Sequence, residues 1–360
     1  MKNLILFIAF GLTLNSCGKE SQPMEPDSIC EEVAMNSNKN YNAIVSDFDE
    51  QQLLRSVEEP NDSGALSRNK ESYFHVRFQM KMTNLTDIAI YSQRVDALEA
   101  FLKNLEYSFN YQEGNGGFQL IPPPELINDP NIPPATEGDR VSAVAFFAYS
   151  LGISLTSLEG SDWYLNSNET QSIRNQIRQF DLRIGSTLNY LKANQNILQQ
   201  VDEDAPNRLF FDGIAFYLIG EYLNDIQAKE IGIGFIQSAL ELIDESSGYF
   251  IEGGGWDSSY NGVALKLGFE IFSMLPTSDI KEELGQKLVC AMDWQLTRIL
   301  PSGEISTEGN TRVYPGGESF LGNEKTVDVE KTVRALKYFA SLTDNSNYNN
   351  IANQVLDFYE

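Results

Sequence analysis

Apolar residues along the chain fall into two patterns. In the first they recur at spacings of three and four with polar residues between them: Val95, Leu98, Leu102, Leu105 and Phe109, and later Ile173, Ile177, Phe180, Ile184, Leu188 and Leu191. This spacing predicts helices that bury one face and wet the other. Residues 227–243 and 280–299 follow the same pattern more weakly. In the second pattern the segment is apolar nearly all round, as in "VSAVAFFAYSLGI" (141–153), "LFFDGIAFYLIGEYL" (209–223) and "NGVALKLGFEIFSML" (261–275). A helix of that kind needs cover on most sides. The two kinds alternate: 94–109 then 139–153, 171–198 then 208–223, 227–243 then 258–275, 280–299 then 327–342, with a last helix at 346–359. Covered helices inside and amphipathic ones outside make two concentric rings. The expected fold is therefore all-α, an α/α toroid of helical hairpins, either incomplete or a ring of five to six. A solenoid of stacked hairpins is the rival; irregular spacing of the covered helices and long loops on one side favour the ring. Near the N-terminus Phe74, Val76, Phe78, Met80 and Met82 alternate strictly, which predicts a short strand, with a helix as the alternative. Residues 41–57 could supply one more helix.

A long polar loop precedes each covered helix, at 115–140, 201–213, 247–262 and 302–328. Three of these begin with a turn and then an apolar residue: Gly116-Gly117-Phe118, Gly248-Tyr249-Phe250 and Gly303-Glu304-Ile305. In a toroid all four loops crowd one mouth, and loops on a rigid scaffold are where sites usually lie. The third loop, "SGYFIEGGGWDSSYNG", presents Glu252, Trp256, Asp257, Tyr260 and Asn261 at the start of a covered helix. The fourth contributes Arg312, Tyr314 and Glu318, the first ends in Asp139 and Arg140, and Asp212 interrupts the apolar run after the second. Asp139, Asp257 and Asp328 would serve equally well as N-caps. Capping does not account for Glu252, Trp256, Tyr260, Arg312, Tyr314 or Glu318.

The ends of the chain predict an address. Residues 1–16 combine Lys2 with an apolar run over 4–14 that is too short to span a bilayer, the pattern of an export signal. The sequence Leu14-Asn15-Ser16-Cys17 resembles the lipobox of bacterial lipoproteins, in which the Cys is lipidated and becomes the mature N-terminus. That resemblance implies a protein anchored by acyl chains at Cys17, at the outer membrane or cell surface. Residues 17–40, polar and carrying Pro23 and Pro26, read as a flexible tether, and 41–360 as a single domain. Cys30 and Cys290 could pair or remain two separate thiols.

Charge and composition exclude several chemistries. With 51 acidic and 26 basic residues the formal net charge is -25, which argues against nucleic acid as a partner and against a polyanionic glycan unless a local basic patch overrides the overall field. The single histidine, His75, and the absence of clustered cysteines leave no Ser/His/Asp or Cys/His arrangement and no zinc set. The Asp and Asn residues of the loops leave calcium open, although no D-x-[DN]-x-[DN]-G loop occurs, and no nucleotide-binding glycine loop is present. No cofactor is expected.

The loop "GYFIEGGGWDSSYNG", an aromatic and a carboxylate followed by Y-x-G entering a covered helix, resembles the α/α-toroid carbohydrate-active enzymes: polysaccharide lyases of the hyaluronate and alginate type, and six-hairpin glycosidases. The resemblance implies a glycan substrate. It departs from the lyase pattern where Gly253 stands in place of a catalytic histidine, so a lyase here would rest on Tyr260 as base and acid, with Asn261 or Asn310 and Arg312 neutralising the substrate carboxylate. The residues themselves suit hydrolysis, which needs two carboxyls across the scissile bond. Glu252 and Asp257 are the first candidates for that pair and Asp212 the third, with Trp256, Tyr260 and Tyr314 as flat faces for sugar rings. A non-catalytic glycan binder and a lipoprotein whose mouth holds a protein partner are the alternatives.

Overall fold

The structure is a computed structural model that describes residues 30, 33–71, 73–123, 134–320 and 323–360. The expected signal at 1–16, Cys17 and most of the expected tether lie outside the described residues. Two short helices, α1 (Tyr41–Val45) and α2 (Glu50–Ser56), lead into five hairpins. Each hairpin pairs a covered helix with the half-buried helix that follows it. The covered helices are α3 (Met82–Tyr91), α5 (Glu137–Glu159), α10 (Pro206–Leu223), α12 (Ser258–Met274) and α14 (Val329–Thr343). Their outer partners are α4 (Val95–Asn110), α8 (Asp181–Ala193), α11 (Ile226–Glu241), α13 (Asp279–Thr297) and α15 (Asn347–Tyr359). Three shorter helices, α6 (Asp162–Asn166), α7 (Gln171–Arg178) and α9 (Gln195–Val201), complete the second outer segment.

The covered helices pack in the order α3, α5, α10, α12, α14. Arg334 of α14 closes the circle by binding Asn84 at 3.0 Å and Asp87, both on α3, while α1 packs against α3, α12 and α14. The fold is thus all-α, a ring of five hairpins. Helix α5 is long and apolar enough to cross a membrane, but it is enclosed by its neighbours. The only strand pair among the described residues is Ser319–Phe320 with Asn323–Glu324.

The three matching turns of the sequence recur as one structural device. Gly116, Gly248 and Gly303 all adopt positive φ, near +90°, a region open to glycine at little cost. Each packs on a backbone carbonyl of the next outer helix, at Ser186, Cys290 and Gln354, where a Cβ would collide. The following residue of each turn, Phe118, Phe250 or Ile305, bridges back to Gln112, Ile243 or Ile299 and is buried. Every turn therefore locks one hairpin to the next.

Down the axis of the ring runs a buried polar cluster. Glu270 of α12 accepts from Tyr149 of α5 at 2.7 Å and from Tyr338 of α14 at 3.1 Å, and pairs with Lys266 at 2.7 Å. Asp87 accepts from Tyr41 at 2.9 Å and pairs with Arg334, which also bonds Tyr338 at 3.1 Å. Charges so deep need such complete pairing, because an unpaired one costs several kcal/mol, roughly.

Three expectations are corrected. The strand expected at Phe74–Met82 is instead one bridge, Phe74 to Ile121, followed by a 3₁₀ turn at Val76–Gln79 and the start of α3. The His75 ring caps that turn by accepting from the Arg77 amide at 3.3 Å. The tether does not run to residue 40: Val33 and Met35 pack on the core, the Asn36 amide bonds the Leu342 carbonyl at 2.7 Å, and Cys30 forms a disulfide with Cys290, 260 positions away. The folded body therefore begins before residue 41. Finally, the covered helices do not begin at 139–153: α3, MTNLTDIAIY, precedes them and is largely buried.

Candidate functional site

The third and fourth loops are built into one unit. The Asp257 carboxylate takes four amide donors: Ser259 and Tyr260 on one oxygen, at 3.0 and 3.1 Å, and Arg312 and Val313 on the other, at 3.0 and 2.8 Å. It is fully buried. Asp257 is thus the N-cap of α12 and the pin that holds the fourth loop over it, and it has no lone pair to offer a substrate. Expecting it in an acid/base pair is corrected on that ground. Asn261 is equally committed, since it accepts from the Phe250 amide at 3.0 Å and donates to Gln295 at 2.9 Å from a fully buried position. Asn310 ties Ser258 to Val313. Neither asparagine is free to meet a substrate.

This clamp aims four of the expected residues at one point. The Arg312 guanidinium binds Glu318 through its Nε and Nη2 edge, at 3.1 and 3.0 Å, and Glu252 through Nη1. It lies 4.3 Å over the Tyr260 ring, close enough for cation–π attraction. The Tyr260 hydroxyl donates to Glu318 at 2.9 Å and accepts from Lys325, which also pairs with Glu318 at 2.8 Å. Two carboxylates therefore flank one arginine, with a phenol and a lysine beside the second.

Their protonation differs. Burial pushes Glu252 up to about 7, with Arg312 opposing the rise and Asp257 adding to it. Glu318 is pulled down to about 2 against its partial burial, by hydrogen bonds from Lys325, Arg312 and Tyr260. Burial raises the Tyr260 phenol over the pull of Arg312, and Glu318 raises it further, so this tyrosine stays protonated. At neutral pH the cluster holds one carboxyl that readily carries a proton and one that does not.

The second loop brings a further acid pair. Asp202 accepts from Arg208 at 2.9 Å and from Ser142 at 3.5 Å. Asp212 lies against Asp202; burial and that neighbouring charge push it well above the carboxylate range, so it carries the proton it shares with Asp202. The partner that Asp212 needs is thus a second aspartate. Arg208 links this pair electrically to Glu252, Tyr260 and Arg312. The first loop contributes least: Asp139 is exposed and closes a capping box with Thr136 (2.8 Å to the amide), and Arg140 is exposed. Trp256 and Tyr314 are 38% and 42% exposed at the rim, with Tyr249 edge-on to Trp256 at 5.9 Å.

Sequence reasoning missed Arg77, Asp202, Arg208 and Lys325. Asp202 and Arg208 stand six apart in the second loop, 201–213, and an acid answering Asp212 was their signal. Lys325 and Arg77 carried none. Among the described residues no group of three His, Cys, Asp or Glu side chains could hold a metal. No protein-family model and no curated protein matches the chain.

Proposed function

We propose that this protein is a lipid-anchored enzyme that hydrolyses a polysaccharide or oligosaccharide, with Glu252 as the acid. The observation that carries this reading is the placement of two carboxyls on either side of Arg312, Glu252 buried and Glu318 partly exposed among cations. Burial raises the first and hydrogen bonds lower the second. Environments that push two carboxyls apart in this way assign acid and base roles. Glu252 gives its proton to the glycosidic oxygen as the C–O bond breaks, while Glu318, ionised, faces the positive charge at the anomeric carbon; a water then bonds to that carbon and its proton returns to the Glu252 carboxylate. Arg312 covers Glu252, so a sugar reaching the acid has to displace this side chain. Trp256 and Tyr314 offer it apolar faces at the rim. Asp212 and Asp202 are a reserve of one shared proton behind Arg208.

The lyase alternative has less support, because Tyr260 would have to act as a base from a protonated state and Asn261 and Asn310 are already bonded. A non-catalytic glycan binder keeps one observation in its favour: Glu252 is only 2% exposed. A panel of glycans assayed for new reducing ends, with wild type, Glu252→Gln and Glu318→Gln, separates the three. Reducing ends lost in both variants support hydrolysis, products with an unsaturated uronate absorbance select the lyase, and binding without turnover selects the binder. The membrane address rests on Leu14 to Cys17; metabolic labelling with palmitate that survives Cys17→Ala would overturn it.

A further inference from the structure

A recess of about 510 Å³ opens between the segment 61–74 and the C-terminal end of α4, and it shares no residue with the Arg312 cluster. One wall is rigid. Phe74 is held by two backbone bonds to Ile121, both at 2.9 Å, and stacks on Tyr111 with ring centroids 4.0 Å apart. Tyr107 packs against these two rings, at 5.7 and 5.3 Å. Another part of the lining is a tight turn, in which the Asn61 side-chain oxygen accepts from the amides of Ser63 and Ala65, at 3.1 and 2.9 Å.

The charge in this recess is already answered. Lys70 is the only charged residue of the lining among the described residues, and it pairs with Glu58 at 2.9 Å while donating to the Glu59 carbonyl at 2.7 Å. Asn69 is committed as well, to both backbone groups of His75 at 3.0 Å. The groups left over are neutral. The Asn61 amide nitrogen, and the Asn110 side chain exposed at the end of α4, make no hydrogen bond among the described residues. Burial first, and then Tyr111 beside it, raises the Tyr107 phenol, so it remains a hydroxyl. Ile121, 40% exposed, leaves apolar surface at the edge.

We propose that this recess is a second glycan-binding site, separate from the mouth, which takes an uncharged stretch of the sugar chain. Sugar hydroxyls both donate and accept, and the ring presents C–H faces. Amides and phenols match the first, aromatic and aliphatic walls the second. Tyrosine, asparagine and serine together give such contacts at low entropic cost. The volume lies within the range of small-ligand sites, about 300–1,000 Å³, and a wall already fixed leaves little to order on binding. A charged ligand finds no partner, because Lys70 is taken. Holding the polymer at a second point raises its effective concentration at the mouth between cuts. The choice of a sugar rests on the function proposed above; the preference for a neutral, hydroxylated ligand does not.

The test is calorimetry of the full protein with neutral glucan, mannan, xylan and galactan hexamers, on wild type, Glu252→Gln, Asn110→Ala and Ser63→Trp. Asn110 and Ser63 are both exposed, so these two variants should melt with wild type. One hexamer is expected to bind wild type and Glu252→Gln alike, to bind Asn110→Ala about three- to tenfold more weakly, and to be lost in Ser63→Trp, whose indole fills the recess. Equal binding in wild type, Asn110→Ala and Ser63→Trp overturns the site, as does the failure of every neutral hexamer to bind. The reducing-end assay separates this failure from that of the hydrolase. Turnover of a glycan with no binding at the recess leaves hydrolysis standing and removes the second site. Binding that Ser63→Trp abolishes, with no glycan cut by wild type, keeps the second site and sinks the hydrolase.

Discussion

The mouth and the axis of this ring are made from the same materials, acids, bases and phenols, yet arranged differently. On the axis, Asp87, Glu270, Lys266 and Arg334 stand on helices and each finds its opposite charge, with Tyr41, Tyr149 and Tyr338 taking up remaining oxygens. At the mouth Glu252, Arg312 and Glu318 stand on loops, where one arginine serves two carboxylates, and Asp212, within α10, is pushed up by burial and by its neighbour Asp202. A closed network on rigid elements joins the hairpins. An open one built largely on loops leaves Glu252 and Glu318 pushed in opposite directions within reach of the rim, which is the condition for binding and proton transfer.

The sharpest way to break the comparison is at the axis. Arg334→Met strands Asp87 and Asn84 in the interior and should lower stability by about 3–5 kcal/mol, measured by urea unfolding; a much smaller loss would show that the cluster does not hold the ring closed. At the mouth the expected effect falls on rate instead. Glu252→Gln should reduce kcat by about 10²–10⁴-fold in a reducing-end assay, with the melting temperature unchanged or raised, since a buried ionisable group is removed.

Cys290→Ser tests a part of the molecule outside both clusters. It should cost about 2–4 kcal/mol of stability and leave the activity of the folded fraction unaltered. A smaller effect is expected from pH. Glu252 titrates near 7 in the folded protein against 4.5 as a free side chain, so its protonated form is the one the fold favours. Its contribution is present below about 4.5 and lost as pH rises through 7, and Glu252→Gln should flatten that limb of the urea midpoint. Glu318, at about 2, behaves oppositely: its contribution is present above 4.5 and lost as pH falls towards 2. Smallest of all, Trp256→Ala should raise KM with kcat unchanged and move stability by no more than about 0.5 kcal/mol.

The same comparison explains what could be read in advance. Helices α5, α10 and α12 were legible because their covered surfaces are apolar. Helix α3 was not: Thr83, Asn84, Thr86 and Asp87 are all buried, Asn84 and Asp87 on Arg334 and Thr86 on Ser154, and periodicity counts them as wet. Glu252, Tyr260, Arg312 and Glu318 could be nominated from loop composition. That Asp257 and Asn261 belong to the clamp could not, because an N-cap aspartate and a catalytic one look alike until their amide donors are located. Arg77 was hidden for a further reason. Its neighbours Phe146 and Arg208 stand on α5 and α10, far along the chain, and only the packing of those helices brings them to it.

The bond between Cys30 and Cys290 has one more consequence, for reach. If Cys17 carries the acyl anchor, twelve residues separate it from Cys30, a span of at most about 45 Å. The body would graze only the layer of polymer lying against its own membrane, and reduction of this one bond would lengthen its working radius by no more than the few residues before Val33.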